Sequence, residues 1–276
     1  MTTRNASFQQ WQALLANRTK RHRAGEFLVQ GVRPISLAVD HGWEVRALIY
    51  PDRQALSGWA RSMLERTGAR PVAMDPELVA ELAGKESAEL IAVVGLPAPP
   101  RLDDLGADPH LLVVVFDRPS TPGNVGTLIR SADAFGASAV IITGHAADPY
   151  DPRAVRASTG SLFALPVIRA DGPGDVLPWI SGMRAAGLPV QLVGTDEHGS
   201  VDVADYDLTG PRVLLIGNET GGLSAGWRQA ADAMVRIPIT GAASSLNAAA
   251  SATVVLYEAT RQASRRPRPA DEGAPG

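Results

Sequence analysis

Short apolar runs and amphipathic stretches alternate along this chain, and the runs become more uniformly apolar about a third of the way in. Residues 8–16 carry apolar positions at helical spacing, with Ser7 placed to cap them. Residues 27–29 read as a strand ended by Gly31. Helical and strand patterns then follow in turn: 35–40 helical, 45–50 strand, 56–66 helical, 71–74 extended. Asp75 and Pro76 form a cap and first-turn pair for a helix over 77–82, and 90–94 is a further strand. The pattern predicts a small α/β unit over residues 1–96.

Pro97, Pro99 and Pro100, then Gly106 and Pro109, interrupt the alternation, so 97–109 reads as a linker. Beyond it, 111–116 is apolar enough to be buried on both faces, as central parallel strands are. Further strands are expected at 139–142, 165–168, 190–193, 213–216 and 234–237. Helices are expected at 125–135, 176–186 and 226–231, with a short one opened by Asp151 and Pro152. This predicts a parallel α/β sheet over 110–264. The tail 265–276, rich in Pro and Gly, has a composition that predicts disorder.

The last helix follows a loop of small residues. Ser244, Ser245 and Asn247 offer capping oxygens at its start. Ala248, Ala249, Ala250 and Ala252 give it a nearly featureless side. Val254, Val255 and Leu256 make its second half apolar almost all round, which predicts a buried helix.

Composition narrows the chemistry. The 276 residues include no cysteine, which excludes disulfides, thiolate catalysis and thiolate-ligated metals. No apolar run approaches the ~18 residues of a membrane span, and the N-terminus carries no signal-peptide pattern, so the expected compartment is the cytoplasm. The net charge of −3 does not point to nucleic acid, but its distribution does. Arg18, Lys20, Arg21 and Arg23 cluster within six residues, and Arg261, Arg265, Arg266 and Arg268 gather near the other end. Local clusters of this kind bind phosphate, which is the reading for the first cluster against a solvated surface loop; the second stays open between phosphate contact and a frayed tail.

Parallel α/β sheets bind ligands at the C-terminal ends of their strands. Three polar, glycine-containing loops leave strands there: residues 117–126, residues 217–222, and the stretch from Ile237 to Asn247. None is a P-loop or a Gly-x-Gly-x-x-Gly turn. No Gly-x-Ser-x-Gly elbow is present, and the five histidines lack ligand spacing, so no metal is expected. Loops rich in backbone donors and acceptors suit a neutral or zwitterionic heterocyclic cofactor better than a triphosphate.

At these loops the sequence resembles the SPOUT methyltransferases, specifically the SpoU/TrmH family of RNA ribose 2′-O-methyltransferases. Asn124-Val-Gly-Thr-Leu-Ile-Arg130 resembles the family's first motif. Ile216-Gly-Asn-Glu219 with Gly221, Gly222, Leu223 and Ser224 resembles the second, and Ile237-Pro-Ile followed by Ser245-Leu-Asn247 the third. The resemblance implies a trefoil-knotted SPOUT domain preceded by a ribosomal-protein-like RNA-binding domain. It implies S-adenosylmethionine held by groups around Gly194, Ile216, Gly217, Asn218, Ile237 and Leu246, and a homodimer. Phe8-Gln-Gln-Trp, Gly31-Val-Arg-Pro and Gly144-His-Ala-Ala-Asp are further similar to members that methylate a uridine ribose of 23S rRNA. That narrower likeness implies the same target and resistance to a ribosome-targeting antibiotic.

The roles expected on this basis are as follows. Arg130 holds the target phosphate and stabilises a developing alkoxide, which is physically easier than base catalysis by a guanidinium, a group that proteins do not deprotonate. Asn124 caps its helix and touches substrate. Glu219 orients Asn124, Arg130 or the cofactor. For Ser245 and Asn247, capping alone explains the residue types; ordering the cofactor's methionine end is the second role. Arg18, Lys20, Arg21 and Arg23 grip the RNA backbone without reading sequence, with Arg153 and Arg156 as weaker candidates. A non-catalytic RNA-binding assembly factor, a tRNA 2′-O-methyltransferase and a nucleotide-dependent α/β enzyme are the rival readings.

Overall fold

Asparagine side chains start the first two helices of the computed structural model, which describes residues 1–84 and 88–265. Helix α1 (Ala6–Ala16) begins at Asn5, whose side chain accepts from the Phe8 N–H at 3.1 Å. Ser7, the expected cap, therefore lies inside the helix. The basic stretch is itself helical: α2 (Arg18–Ala24) is capped by Asn17 and ended by Gly25 in the left-handed conformation, φ 63°. Then come β1 (Glu26–Gln30), α3 (Val32–Asp40), β2 (Val45–Pro51), α4 (Gly58–Thr67) and β3 (Arg70–Met74), followed by α5 (Pro76–Ala83) and β4 (Ile91–Gly95). Asp75 and Pro76 open α5 as expected.

These strands form a sheet of order β1-β4-β2-β3, with β4 antiparallel to both neighbours and β2 parallel to β3. On one face, Phe8, Trp11 and Leu14 of α1 join Leu78 and Leu82 of α5 over Ile49 and Ile91. Side chains alternate along a strand, so Phe27 points the other way from Leu28. There it meets Trp43, Tyr150 and Phe163 at ring-centroid distances of 6.1, 5.0 and 6.2 Å.

After a single 3-10 turn at Leu102–Asp104 the second series begins: β5 (Leu112–Asp117), α6 (Pro122–Ala134), β6 (Ala139–Thr143), α7 (Pro152–Ser158), α8 (Ser161–Ala164) and β7 (Val167–Ala170). It continues with α9 (Pro173–Ala185), β8 (Gln191–Thr195), β9 (Val201–Asp202), β10 (Arg212–Ile216), α10 (Ala225–Ala230), β11 (Ala233–Arg236) and α11 (Ala248–Arg265). The sheet order is β7-β6-β5-β10-β8-β11-β9. Every pairing from β6 through β9 is parallel. Val113, Val115, Val213 and Leu215 are fully buried in its centre, each contributing about 1.5–3 kcal/mol of apolar burial. Strand β7 starts two residues later than expected, and the two-residue β9 was not foreseen.

Helix α11 corrects a second expectation. Val255, Leu256 and Ala259 are buried, but Val254 and Tyr257 are 37% and 55% exposed. The helix is amphipathic rather than apolar all round.

Chain order and compactness divide the molecule differently. One compact unit comprises Met1–Pro100, Thr121–Arg130 and Ala147–Val167. The other comprises Arg101–Ser120, Ser131–Ala146 and the chain from Ile168 on. Tyr150 and Phe163, by joining Phe27 and Trp43, place the α7–α8 segment with the first hundred residues. The Trp43 indole N–H also donates to the Phe163 carbonyl at 3.0 Å. The expected tail beyond Arg265, with Arg266 and Arg268, lies outside the described residues. Among those described, no helix is long and apolar enough to cross a membrane.

Candidate active site

Strand β10 runs out at Ile216, and the chain then folds back on itself within six residues. Gly217 makes this possible: a Cβ there would lie 2.4 Å from the Gly222 carbonyl carbon. Asn218 and Gly222 exchange both backbone hydrogen bonds at 3.0 Å, and the Asn218 side-chain oxygen accepts from the N–H groups of Thr220 and Gly221. Glu219 turns out of this loop. Its carboxylate accepts from the backbone N–H and hydroxyl of Ser120 at 3.1 and 3.0 Å.

The loop walls a cavity of about 360 Å³, of the size that holds a small-molecule cofactor. Ile216, Gly217, Asn218 and Glu219 line it on one side. Ile237, Ser245 and Leu246, from the segment between β11 and α11, line it on another. Thr195, the last residue of β8, and Asp196 beyond it line a further side. Arg228 is held at its wall by Asp196 at 2.6 Å and donates to the Leu223 carbonyl. Ile239 and Leu246 present apolar side chains there that are 37% and 40% exposed.

Most residues expected at the cofactor site thus come together. Gly194 does not join them: it is buried in β8 and the wall starts one residue later. Its missing Cβ leaves room for Met234, whose sulfur would be 2.4 Å from one. Asn247 caps α11 through bonds from Ala249 and Ala250, whereas Ser245 belongs to the cavity wall.

Asn124 is not a cap. Helix α6 begins at Pro122, so Asn124 sits half-buried in its first turn, where the Val125 N–H donates to the Thr121 carbonyl. Arg130 is exposed on α6, while Val125, Leu128, Ile129 and Ala132 are fully buried, as the helical spacing predicts.

The basic cluster loses a member. Arg18, Lys20 and Arg23 are exposed on α2, but Arg21 is 2% exposed and paired with Asp148. It cannot reach a phosphate, because helical geometry turns it inward between its exposed neighbours. Arg153 and Arg156 are exposed on α7. Arg153 is engaged by Asp151 at 3.0 Å. Burial, the largest single influence on the Asp151 carboxyl, raises its pKa. The bonds from Arg153 and the charges of Arg153 and Arg21 outweigh it, and the net shift is downward.

Sequence reasoning missed Ser120, Asp196, Arg228 and Arg118. For Asp196 a signal existed: Thr195-Asp-Glu-His-Gly199 is a fourth polar turn leaving a parallel strand at the ligand-binding edge.

Residues 5–92 match the SpoU L30e-like domain, and residues 111–257 match the SpoU rRNA Methylase family. The chain belongs to the SpoU rRNA methylase family, with the SPOUT α/β architecture. It is 58% identical over 267 residues to a 23S rRNA (uridine(2479)-2′-O)-methyltransferase of Streptomyces viridochromogenes, covering 95% of this chain and 92% of that protein. The crystal structure of the SpoU methyltransferase AviRb from the same organism, in complex with the cofactor AdoMet, superposes with a TM-score of 0.89. It is 57% identical and covers 95% of this chain and 99% of that one. An AdoMet-bound rRNA methyltransferase from Sinorhizobium meliloti is 32% identical, with a TM-score of 0.82 over 95% of this chain and 97% of that one.

Proposed function

We propose that this protein transfers a methyl group from S-adenosylmethionine to the ribose 2′-oxygen of a uridine in 23S rRNA. The observation that carries the reading is a cavity walled by two of the three motif loops. It lies in a chain 57% identical to a methyltransferase solved with AdoMet in place.

The residues present fit that cofactor. Ile239 and Leu246 are apolar groups left uncovered beside backbone amides, a surface suited to a flat heterocycle. Ile216, Gly217, Asn218, Ile237 and Leu246 would hold the cofactor, and Ser245 would order its methionine end. When bound, S-adenosylmethionine supplies an electrophilic methyl group on a good leaving group. The residues of the chain supply positioning, and they stabilise charge on the attacking oxygen. Arg130 holds the target phosphate and offsets the charge developing on the 2′-oxygen. Arginine side chains do not serve as bases in proteins, so Arg130 acts through charge and hydrogen bonds. Glu219, fixed by Ser120, keeps the second loop in place, and Asn124 contacts substrate from the first turn of α6.

Residues 1–96 serve as the RNA-binding domain and 110–264 as the methyltransferase domain, with Arg18, Lys20 and Arg23 gripping the RNA backbone. The exposed Val254 and Tyr257 on α11 support a homodimer, since uncovered apolar stripes mark interaction surfaces.

Mapping 2′-O-methyl groups on ribosomal RNA from cells with and without the protein tests reaction and target together. One new methyl group at a 23S uridine is expected; methylation confined to tRNA would overturn the target. Calorimetry with S-adenosylmethionine tests the cofactor, and absence of binding at high micromolar concentration would favour a non-catalytic RNA-binding role. The resistance reading is tested by antibiotic sensitivity of a susceptible host that expresses the protein.

A further inference from the structure

Arg118 follows the last residue of β5 with φ 53°, one of three residues other than glycine in the left-handed region among those described. Such a backbone persists only where the surroundings over-determine it, and these positions cluster at functional sites. Here the backbone N–H and carbonyl and two of the guanidinium nitrogens are all engaged. Its N–H donates to the Thr143 carbonyl at 3.0 Å and its carbonyl accepts from the Asn218 amide at 2.6 Å. Its Nε donates to Asp117 at 3.1 Å and its Nη2 to the Gly222 carbonyl at 3.0 Å.

Two of these bonds fall on Asn218 and Gly222, the pair that closes the 217–222 loop. With the N–H fixed on Thr143, the φ value decides where both the carbonyl and the side chain point. A residue in the extended region would send them elsewhere and release both ends of the loop. Two further features support the arrangement. The buried Asp117 carboxylate also accepts from the Thr143 hydroxyl and from the Ser224 N–H just beyond the loop. At Gly144 a Cβ would lie 2.8 Å from Arg118 Cγ, so the absent side chain leaves a path for the arginine.

We propose that Arg118 is a positioning residue, holding the 217–222 loop in the shape that forms one wall of the cofactor cavity. The proposal rests on the S-adenosylmethionine reading of that cavity. Arg118 does not line the cavity. Its effect is on how well the loop is ordered before the cofactor arrives, and hence on cofactor affinity.

The test is calorimetry with S-adenosylmethionine and steady-state kinetics on the intact protein and three variants. In Arg118→Ala, Kd and KM for the cofactor are expected to rise about tenfold, as for the loss of a charge-assisted hydrogen bond. The kcat at saturating cofactor should change by less than about threefold, since transition-state contacts are untouched. Arg118→Lys, which keeps a donor for Gly222, should recover part of the affinity. Arg118→Gly relaxes the backbone while deleting the guanidinium, and serves if the alanine variant does not fold. Unchanged cofactor Kd in the alanine or glycine variant overturns the proposal, as does a fall in kcat with KM unaltered. An intact protein that binds no S-adenosylmethionine overturns the cofactor reading and this proposal with it. Intact protein that binds, beside variants that bind equally well, overturns this proposal alone.

Discussion

The guanidinium of Arg21 lies 2.7 Å from the carboxylate of Asp148, 127 residues along the chain, and both side chains are almost wholly shielded from water. Arg21 also donates to the Leu14 carbonyl at 2.7 Å, and Asp151 stands 3.8 Å away. The same burial, with the Asp148 charge, pushes the neighbouring Tyr150 hydroxyl up to about 12. Removing one member of a buried pair leaves an uncompensated charge, a loss of about 3–5 kcal/mol. Arg21→Ala should therefore destabilise the protein by that amount in urea unfolding, while Arg21→Met combined with Asp148→Leu should be far milder. A loss below about 1 kcal/mol in the single variant would show that the pair is solvated like a surface one.

The three arginine and lysine neighbours of Arg21 make the complementary case. Arg18, Lys20 and Arg23 are exposed on one short helix, so their replacement by glutamine should leave stability nearly unchanged. RNA affinity should fall instead. Each phosphate contact contributes about 0.7–0.9 to the slope of log K against log salt, so the triple variant should flatten that slope by about 2–3. A slope equal to that of the unaltered protein would assign the cluster to plain solvation.

How far these features could be read in advance depends on the range of the interaction. Asp75-Pro76 and Asp151-Pro152 announce helix starts within two residues, and both helices begin there. The all-apolar runs announce central parallel strands, and β5 and β10 are such strands. Helix α2 carries no apolar periodicity. It is helical because Asn17 and Gly25 bound it and because Arg21 finds a partner far along the chain. Val254 and Tyr257 cannot be told from core residues by composition, since only packing decides which side of an apolar helix is covered. The glycines of the second motif marked the site. The arginine that holds their loop did not stand out, because an αL arginine looks like any other in a sequence. The expectation of a knotted path rests on family resemblance alone, since periodicity carries no information on threading.

Gly217 offers a local test of the cavity wall. An added Cβ would meet the Gly222 carbonyl carbon at 2.4 Å and the Leu223 nitrogen at 2.5 Å, both of them backbone atoms that cannot swing away. Gly217→Ala must therefore open the loop. Cofactor affinity should fall by at least about tenfold, a loss of ~1.4 kcal/mol, with the unfolding midpoint little changed because the loop lies outside the core. Equal affinity by calorimetry would mean that this loop does not shape the binding site.

Arg130 separates binding from chemistry. It is exposed on α6 while the helix buries its opposite side, so Arg130→Ala should fold normally and bind S-adenosylmethionine with unchanged Kd. Loss of a group that stabilises developing charge typically costs about 10²–10³ in kcat, and single-turnover methylation of the RNA should fall by that factor. Turnover within a few-fold of the unaltered protein would move the catalytic role elsewhere.

The last helix carries its own pH dependence. Glu258 on α11 accepts from Arg261 at 2.7 and 2.6 Å and from Gln262 at 2.7 Å. Gln262 in turn binds the Tyr206 carbonyl and the Leu208 N–H, tying α11 to the turn before β10. The bond from Arg261, the largest influence, holds the Glu258 carboxyl below the ordinary value of 4.5. A carboxyl whose pKa is lower folded than unfolded adds stability above the unfolded value. That stability is lost as pH falls through the folded one. The contribution should therefore be complete at neutral pH and fade below about pH 4.5. Glu258→Gln removes the charge and with it this dependence. Thermal unfolding followed from pH 7 to pH 3 should show the variant less stable at neutral pH, with the two curves converging in acid. A constant difference across that range would mean that Glu258 stabilises α11 by packing rather than by its ionised pair with Arg261.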